Sequence, residues 1–223
     1  MFVGHFGLGL AGKRIAPRAS LGTWFLAVQL LDLLWPLFLL RGWEHVRITP
    51  GYTRMNPLDF YDYPLTHSLL GACVWAVLLG TLYLLATRRR GGRRRTVALL
   101  LAAGVVSHWL LDVLVHRADL PVLPWIGPYV GLGLWNQPAL TLGLELLIFG
   151  AGIALYLRAT RARDAAGRWG FAALIGFLLL TWLGTAFGPP PPDEGIIAWS
   201  ALLLWLLVPW AAWVDRHREP AAP

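Results

Sequence analysis

The chain has 223 residues, of which 57% are hydrophobic and 14% charged, with a formal net charge of +7. Soluble domains carry about 25% charged residues, so this balance excludes a water-soluble globular protein and predicts an all-α, polytopic membrane helix bundle. A single cysteine, Cys73, excludes an intrachain disulfide framework and a thiolate metal site.

The first apolar stretch, "VGHFGLGLAG", carries His5. It is too short to cross about 30 Å of hydrocarbon and predicts a re-entrant half-helix. Its basic residues follow the apolar run, the reverse of a secretory leader, so no cleavable signal is expected. Six runs of near-spanning length come next, at about 21–40, 65–87, 96–116, 138–158, 170–188 and 195–214. The first contains Asp32. The connection 42–64, rich in proline, glycine and aromatics, leads into "YDYPLTHSLL". There Pro64 suits the first turn of a helix, and Thr66, His67 and Ser68 follow at its mouth. Asp62 has two readings, which are compatible: a cap for that helix, or a carboxylate that orients His67 by accepting its second ring N–H. Asp59 precedes it in "PLDFYDYP".

The third run ends in "SHWLLDVLVHRADLP". Helical spacing stacks His108, Asp112 and His116 on one face. His116, next to Arg117 at the rim, is expected to line an entrance at most. A second long connection, 117–137, joins 42–64 as an expected cap over the bundle. Glu145 lies in the fourth run, and "GPPPPDEG" (188–195) is a turn that neither flanking helix can enter. One membrane domain is expected over 1–223, with a metal-site core in 1–158 and two additional spans in 159–223. No internal repeat is visible.

Topology follows from the arginines. Lys13, Arg14, Arg18, the block "RRRGGRRR" (88–95), the loop from Arg158 to Arg168, and Arg216 and Arg218 fall on one side. That side holds 15 of the 19 basic residues, leaving Arg41, Arg47, Arg54 and Arg117 opposite. The positive-inside rule makes the rich side cytoplasmic in a bacterial-type inner (plasma) membrane. The arginine block reads as a topology anchor touching anionic lipid, so no nucleic-acid partner is expected. Trp43, Trp125 and Trp135 fall at the outer boundary and Trp169, Trp210 and Trp213 at the inner one, as interfacial belts require.

Within the spans, Asp32, His67, His108, Asp112 and Glu145 are out of place. An unpaired aspartate at mid-membrane costs about 3 kcal/mol even on lenient scales, so each needs a partner. Counting a helical rise of about 1.5 Å per residue, Asp32 lies roughly 21 Å from Arg18, His108 roughly 20 Å from Arg95 and Glu145 roughly 20 Å from Arg158. Asp112 and His67 lie nearer the outer surface. Four helices thus bring polar groups to one layer, which His5 joins if its segment dips in. Such residues also serve as helix–helix hydrogen-bond partners or as proton relays. Imidazole plus carboxylate without thiolate suits zinc or another divalent first-row ion, such as manganese.

The order of His5, Asp32, Thr66-His67-Ser68 and "HxxxD" at His108 and Asp112 resembles the YdjM-like group of inner-membrane metal-dependent hydrolases over roughly residues 1–145. That group often carries "HRGxTHS", where this chain has "YDYPLTHS". The ligand order is also similar to that of the soluble zinc-dependent phospholipases C, with "HWLLDVLVH" matching their "HxxxD…H" helix. These resemblances imply one or two divalent metals, zinc foremost, ligated by His5, Asp32, His67, His108 and Asp112, and hydrolysis of a phosphoester. In the phospholipases a later helix supplies a further His and Glu; here only Glu145 is available.

The expectation is therefore a metal-dependent hydrolase sited near the outer leaflet, with Glu145 and Asp62 as its catalytic carboxylates. Its partners would be membrane lipid and a lipid-like or phosphoester substrate; the sequence sets no oligomeric state. The rival is an ion- or proton-coupled transporter using the same cluster without hydrolysis. A scaffold glued by polar residues is a third reading.

Overall fold

The computed structural model describes residues 1–89 and 92–221; Arg90 and Gly91 of the arginine block fall outside the described residues. Four glycines in thirteen residues make α1 (Val3–Ile15) thin. It is the short segment expected to be re-entrant, and it is buried along most of its length. A Cβ on Gly7 would meet the backbone of Ile148 and Phe149, and a Cβ on Gly152 would meet the backbone of Gly7. Lipid tails are as apolar as leucine, so close backbone approach of this kind, with interhelical hydrogen bonds, is what holds membrane helices together.

The first spanning run is a bent pair, α2 (Leu21–Val28) and α3 (Leu30–Leu40), meeting at 57° around Gln29. Ser20 caps α2 by accepting the Thr23 N–H at 3.0 Å. In α3, Pro36 has no N–H to offer the Asp32 carbonyl one turn back. The next run is also jointed. Pro64 opens a single turn, α4 (Pro64–His67), and the chain then extends at Ser68, whose hydroxyl accepts the Gly71 N–H at 2.9 Å and caps α5 (Leu69–Ala86). The Trp75 indole donates to the Leu65 carbonyl at 2.9 Å, satisfying an acceptor at the joint. Helix α6 (Arg94–Val115) runs back beside α5 and presents His108 and Asp112.

The two long connections are β-hairpins. β1 (His45–Ile48) pairs with β2 (Leu58–Asp62), and β3 (Leu120–Leu123) pairs with β4 (Ile126–Val130), both antiparallel. The hairpins are linked: Tyr52 OH donates to Asp119 Oδ2 at 3.3 Å, and Arg117 lies over the Tyr52 ring at 4.6 Å. A 3-10 turn at Leu134–Asn136 leads to α7 (Pro138–Ala159).

Short strand β5 (Thr160–Ala162) precedes α8 (Ala165–Phe187), which starts five residues before the expected span because Asp164 accepts the Gly167 N–H at 2.8 Å as its cap. The last run comprises α9 (Glu194–Ala201), a 3-10 stretch at Leu202–Leu206, and α10 (Leu207–Arg216). Its irregular stretch ends just before Pro209, which cannot donate back along the helix. Strand β6 (Arg218–Pro220) returns to pair with β5. Arg218 donates there to Thr160 Oγ1 and to the Thr160 and Gly167 carbonyls, so one arginine expected only to set topology also staples the tail.

The result is an all-α bundle of a multi-pass membrane protein. Among the described residues five helices are long and apolar enough to span, or six if the bent pair counts as one. The two C-terminal spans belong to the same bundle: a Cβ on Gly22 of α2 would meet the Val208 carbonyl and Ala212, and the Trp205 indole donates to the Leu33 carbonyl at 2.9 Å.

Candidate metal centre

His5 from α1, Asp32 from α3, His67 from α4, and His108 with Asp112 from α6 meet at one place. Two triads, His5–Asp32–His108 and His67–His108–Asp112, each present one ligand atom per residue with all separations within 4.8 Å. Asp32 Oδ1 lies 3.4 Å from His67 Nε2 and 3.5 Å from His108 Nε2. Asp112 Oδ2 lies 3.2 Å from His108 Nε2, and Asp112 Oδ1 lies 3.1 Å from His5 Nε2. The His5 and His108 rings stack in parallel at 3.7 Å. The Met1 nitrogen also reaches Asp112 Oδ1, at 2.5 Å. His5, His67, His108 and Asp112 are buried; Asp32 is partly open.

Hydrogen bonding on the far side of His108 fixes which ring nitrogen faces the cluster. Its Nδ1 lies 2.7 Å from the Val28 carbonyl. A carbonyl only accepts, so Nδ1 carries a hydrogen, and Nε2 is the nitrogen turned toward the two aspartates. His108 Nε2 is buried without a hydrogen-bond partner, although two carboxylate oxygens lie within 3.5 Å. His5 Nδ1 is likewise unpartnered. Two carboxylates and three imidazoles gathered out of water, with the Met1 amino group reaching Asp112, make a nitrogen and oxygen donor set that fits a divalent ion.

His67 is held from behind by residues the sequence did not single out together. Thr66 Oγ1 lies 2.7 Å from His67 Nδ1 and donates to Glu44 Oε2 at 2.7 Å. Glu44 Oε1 accepts the Thr66 backbone N–H, also at 2.7 Å. Glu44 is buried in the connection between α3 and β1. Burial raises its carboxyl above the ordinary value, opposed by the charge of His67 and the bonds from Thr66. Only its acidic character marked it in the sequence.

Asp62 does neither of the jobs expected of it. Its carboxylate pairs with His45 Nδ1 at 2.9 Å, across the hairpin and well exposed, and α4 has no side-chain cap. The β2 strand aims Asp62 at its cross-strand neighbour, so it neither orients His67 nor joins the cluster as a catalytic group. Asp59 faces Arg47 at 3.8 Å. Glu145 is buried beside the cluster but is not in either triad. Its Oε2 accepts the Phe2 and Gly4 N–H groups at 2.9 and 3.2 Å, so it holds the first turn of the helix that carries His5. His116 is at the rim, as expected: Nδ1 lies 3.1 Å from Asp119 Oδ1, and the ring meets Trp135 at 4.3 Å. Trp135 packs on His116 and Phe60.

Above the cluster is a cavity of about 630 Å³. Asp32, His67, Asp112 and Glu145 line its polar part, and Trp35, Phe60, Tyr63, Trp135 and Trp182 line its aromatic part. The loop from Pro50 to Leu58 and the end of α8 close it in, with Arg54 contributing a cation. The space is of the size that small-molecule sites occupy. No family model, curated protein or solved structure matches the chain.

Proposed function

We propose that the protein is a membrane-bound metal-dependent hydrolase that cleaves a phosphoester of a lipid-borne or amphipathic substrate. The observation that carries this reading is the unpartnered His108 Nε2, facing two carboxylates beneath the cavity. His5, Asp32, His67, His108 and Asp112 would hold one or two divalent ions, zinc foremost with manganese as the other candidate. A bound divalent ion would lower the pKa of water toward about 7 and polarise a phosphoryl oxygen.

The chain's own groups do the rest. The aromatic wall accepts the apolar part of an amphipathic substrate and keeps bulk water away. Glu145, with Oε2 engaged by α1, has Oε1 to accept a proton from the attacking water and return it to the leaving group. In this reading the arginine-rich end is cytoplasmic, the membrane is a bacterial-type inner membrane, and the site lies near the outer leaflet.

Elemental analysis of detergent-purified protein tests the proposal. At least one tightly held zinc or manganese is expected, lost in both His108→Ala and Asp112→Ala, together with hydrolysis of one or more members of a phosphoester-lipid panel by the metal-loaded protein. A folded protein that holds no metal and instead drives proton-dependent uptake into vesicles would replace this reading with an ion-coupled transporter. Absence of metal, with both variants unable to fold, would make the cluster a structural joint.

A further inference from the structure

We infer that Glu44 is a positioning residue that sets the tautomer of His67 through the hydroxyl of Thr66, and so makes His67 Nε2 available as a metal ligand. The ligand role rests on the function proposed above; the tautomer does not.

A threonine hydroxyl has one hydrogen. Ionised Glu44 can only accept, and each of its oxygens takes a 2.7 Å bond from Thr66, one from the N–H and one from the hydroxyl. The hydroxyl hydrogen is therefore spent on Glu44 Oε2. Toward His67 Nδ1, at 2.7 Å, Thr66 Oγ1 has only a lone pair left to offer. Nδ1 must then carry the ring hydrogen of neutral His67, leaving the lone pair on Nε2, the nitrogen that faces Asp32. All three groups are buried, with Thr66 fully so, and water does not compete for these bonds.

The direction of the relay is what matters. Glu44→Gln keeps the shape but supplies an NH₂ that donates to Thr66 Oγ1. The threonine hydrogen is then free to point at His67 Nδ1, and the ring hydrogen moves to Nε2, where it blocks ligation. The structural cost is small; the chemical sign is reversed. Outer partners of this kind typically contribute about 10–100-fold to metal affinity.

The test is ¹⁵N NMR of histidine-labelled, metal-free protein, paired with zinc affinity from chelator competition. The expected results are an Nδ1–H tautomer for His67 in the wild type, an Nε2–H tautomer in Glu44→Gln, and a zinc affinity about 10–100-fold weaker in that variant. Thr66→Ser retains the hydroxyl and should behave as wild type, whereas Thr66→Val should lose the tautomer preference and the affinity together. A wild-type His67 with its hydrogen on Nε2, or a folded Glu44→Gln or Thr66→Val with an unchanged tautomer, would overturn the relay. If Glu44→Gln does not fold, the contrast between Thr66→Ser and Thr66→Val decides the matter. A wild type that shows the Nδ1–H tautomer but takes up no zinc would leave the relay standing and remove the metal reading instead.

Discussion

Asp62 and His45 pair at 2.9 Å with both side chains substantially exposed, and exposed pairs of this kind contribute less than about 1 kcal/mol. Asp62→Asn is accordingly expected to leave zinc content and the thermal midpoint nearly unchanged, and a loss of metal in that variant would contradict the placement of Asp62 outside the site. Five site residues were legible individually, because an ionisable side chain within an apolar run has few innocuous explanations. Glu44 was not. It lies 23 positions before His67, in a connection where acidic residues are unremarkable, and only the return of the chain through β1 and β2 brings it behind Thr66. Asp62 was misread for the converse reason: adjacency to Pro64 suggested a cap, but the hairpin register had already turned its carboxylate toward His45.

At the level of elements, the glycine contact between α1 and α7 positions His5. A Cβ on Gly152 would meet backbone atoms of Gly7, which cannot rotate aside as a side chain would. Gly152→Ala should cost about 1–3 kcal/mol and lower zinc affinity by lifting α1 and its histidine from Asp112. Gly150→Ala, on the same helix but with nothing near its Cβ position, should leave affinity unchanged. Ser68→Ala removes the α5 cap, with an expected loss of about 1 kcal/mol measured by chemical unfolding in detergent. The spanning runs were readable to within a few residues because length and hydropathy set them. The joints at Gln29 and Ser68 were not, because their cause is tertiary: each lets one apolar run serve as two separately aimed helices. The hairpins also escaped notice, since strands as short as HVRI and LDFYD show too little alternation to stand out among prolines and aromatics.

For the whole molecule, the two hairpins share one end of the bundle with the cavity, and most arginines share the other. The proposed orientation makes a direct prediction in a Cys73→Ser background. A cysteine introduced at Trp125, 65% exposed in the second hairpin, should react with a membrane-impermeant maleimide in intact spheroplasts. One at Trp169, 67% exposed near the start of α8, should react only after lysis. The reverse pattern would invert the topology and put the cavity on the cytoplasmic face. At the arginine end some charges do more than mark a face: Arg218 and Asp215 are spent internally, the latter taking Lys13 Nζ at 2.6 Å and so tying α1 to α10.

The bend between α2 and α3 constrains which side chain position 108 will tolerate. Val28 closes α2, where helical carbonyls run out of helical donors, and its oxygen is taken up by His108 Nδ1. In the proposed metal centre the occupant of that position gives a hydrogen to the elbow of one helix and, from its opposite edge, offers an electron pair to the ion. Lysine has hydrogens but no electron pair to offer, so His108→Lys should lose the metal site, whereas asparagine or glutamine, with a donor nitrogen and an acceptor oxygen, should retain more of both contacts.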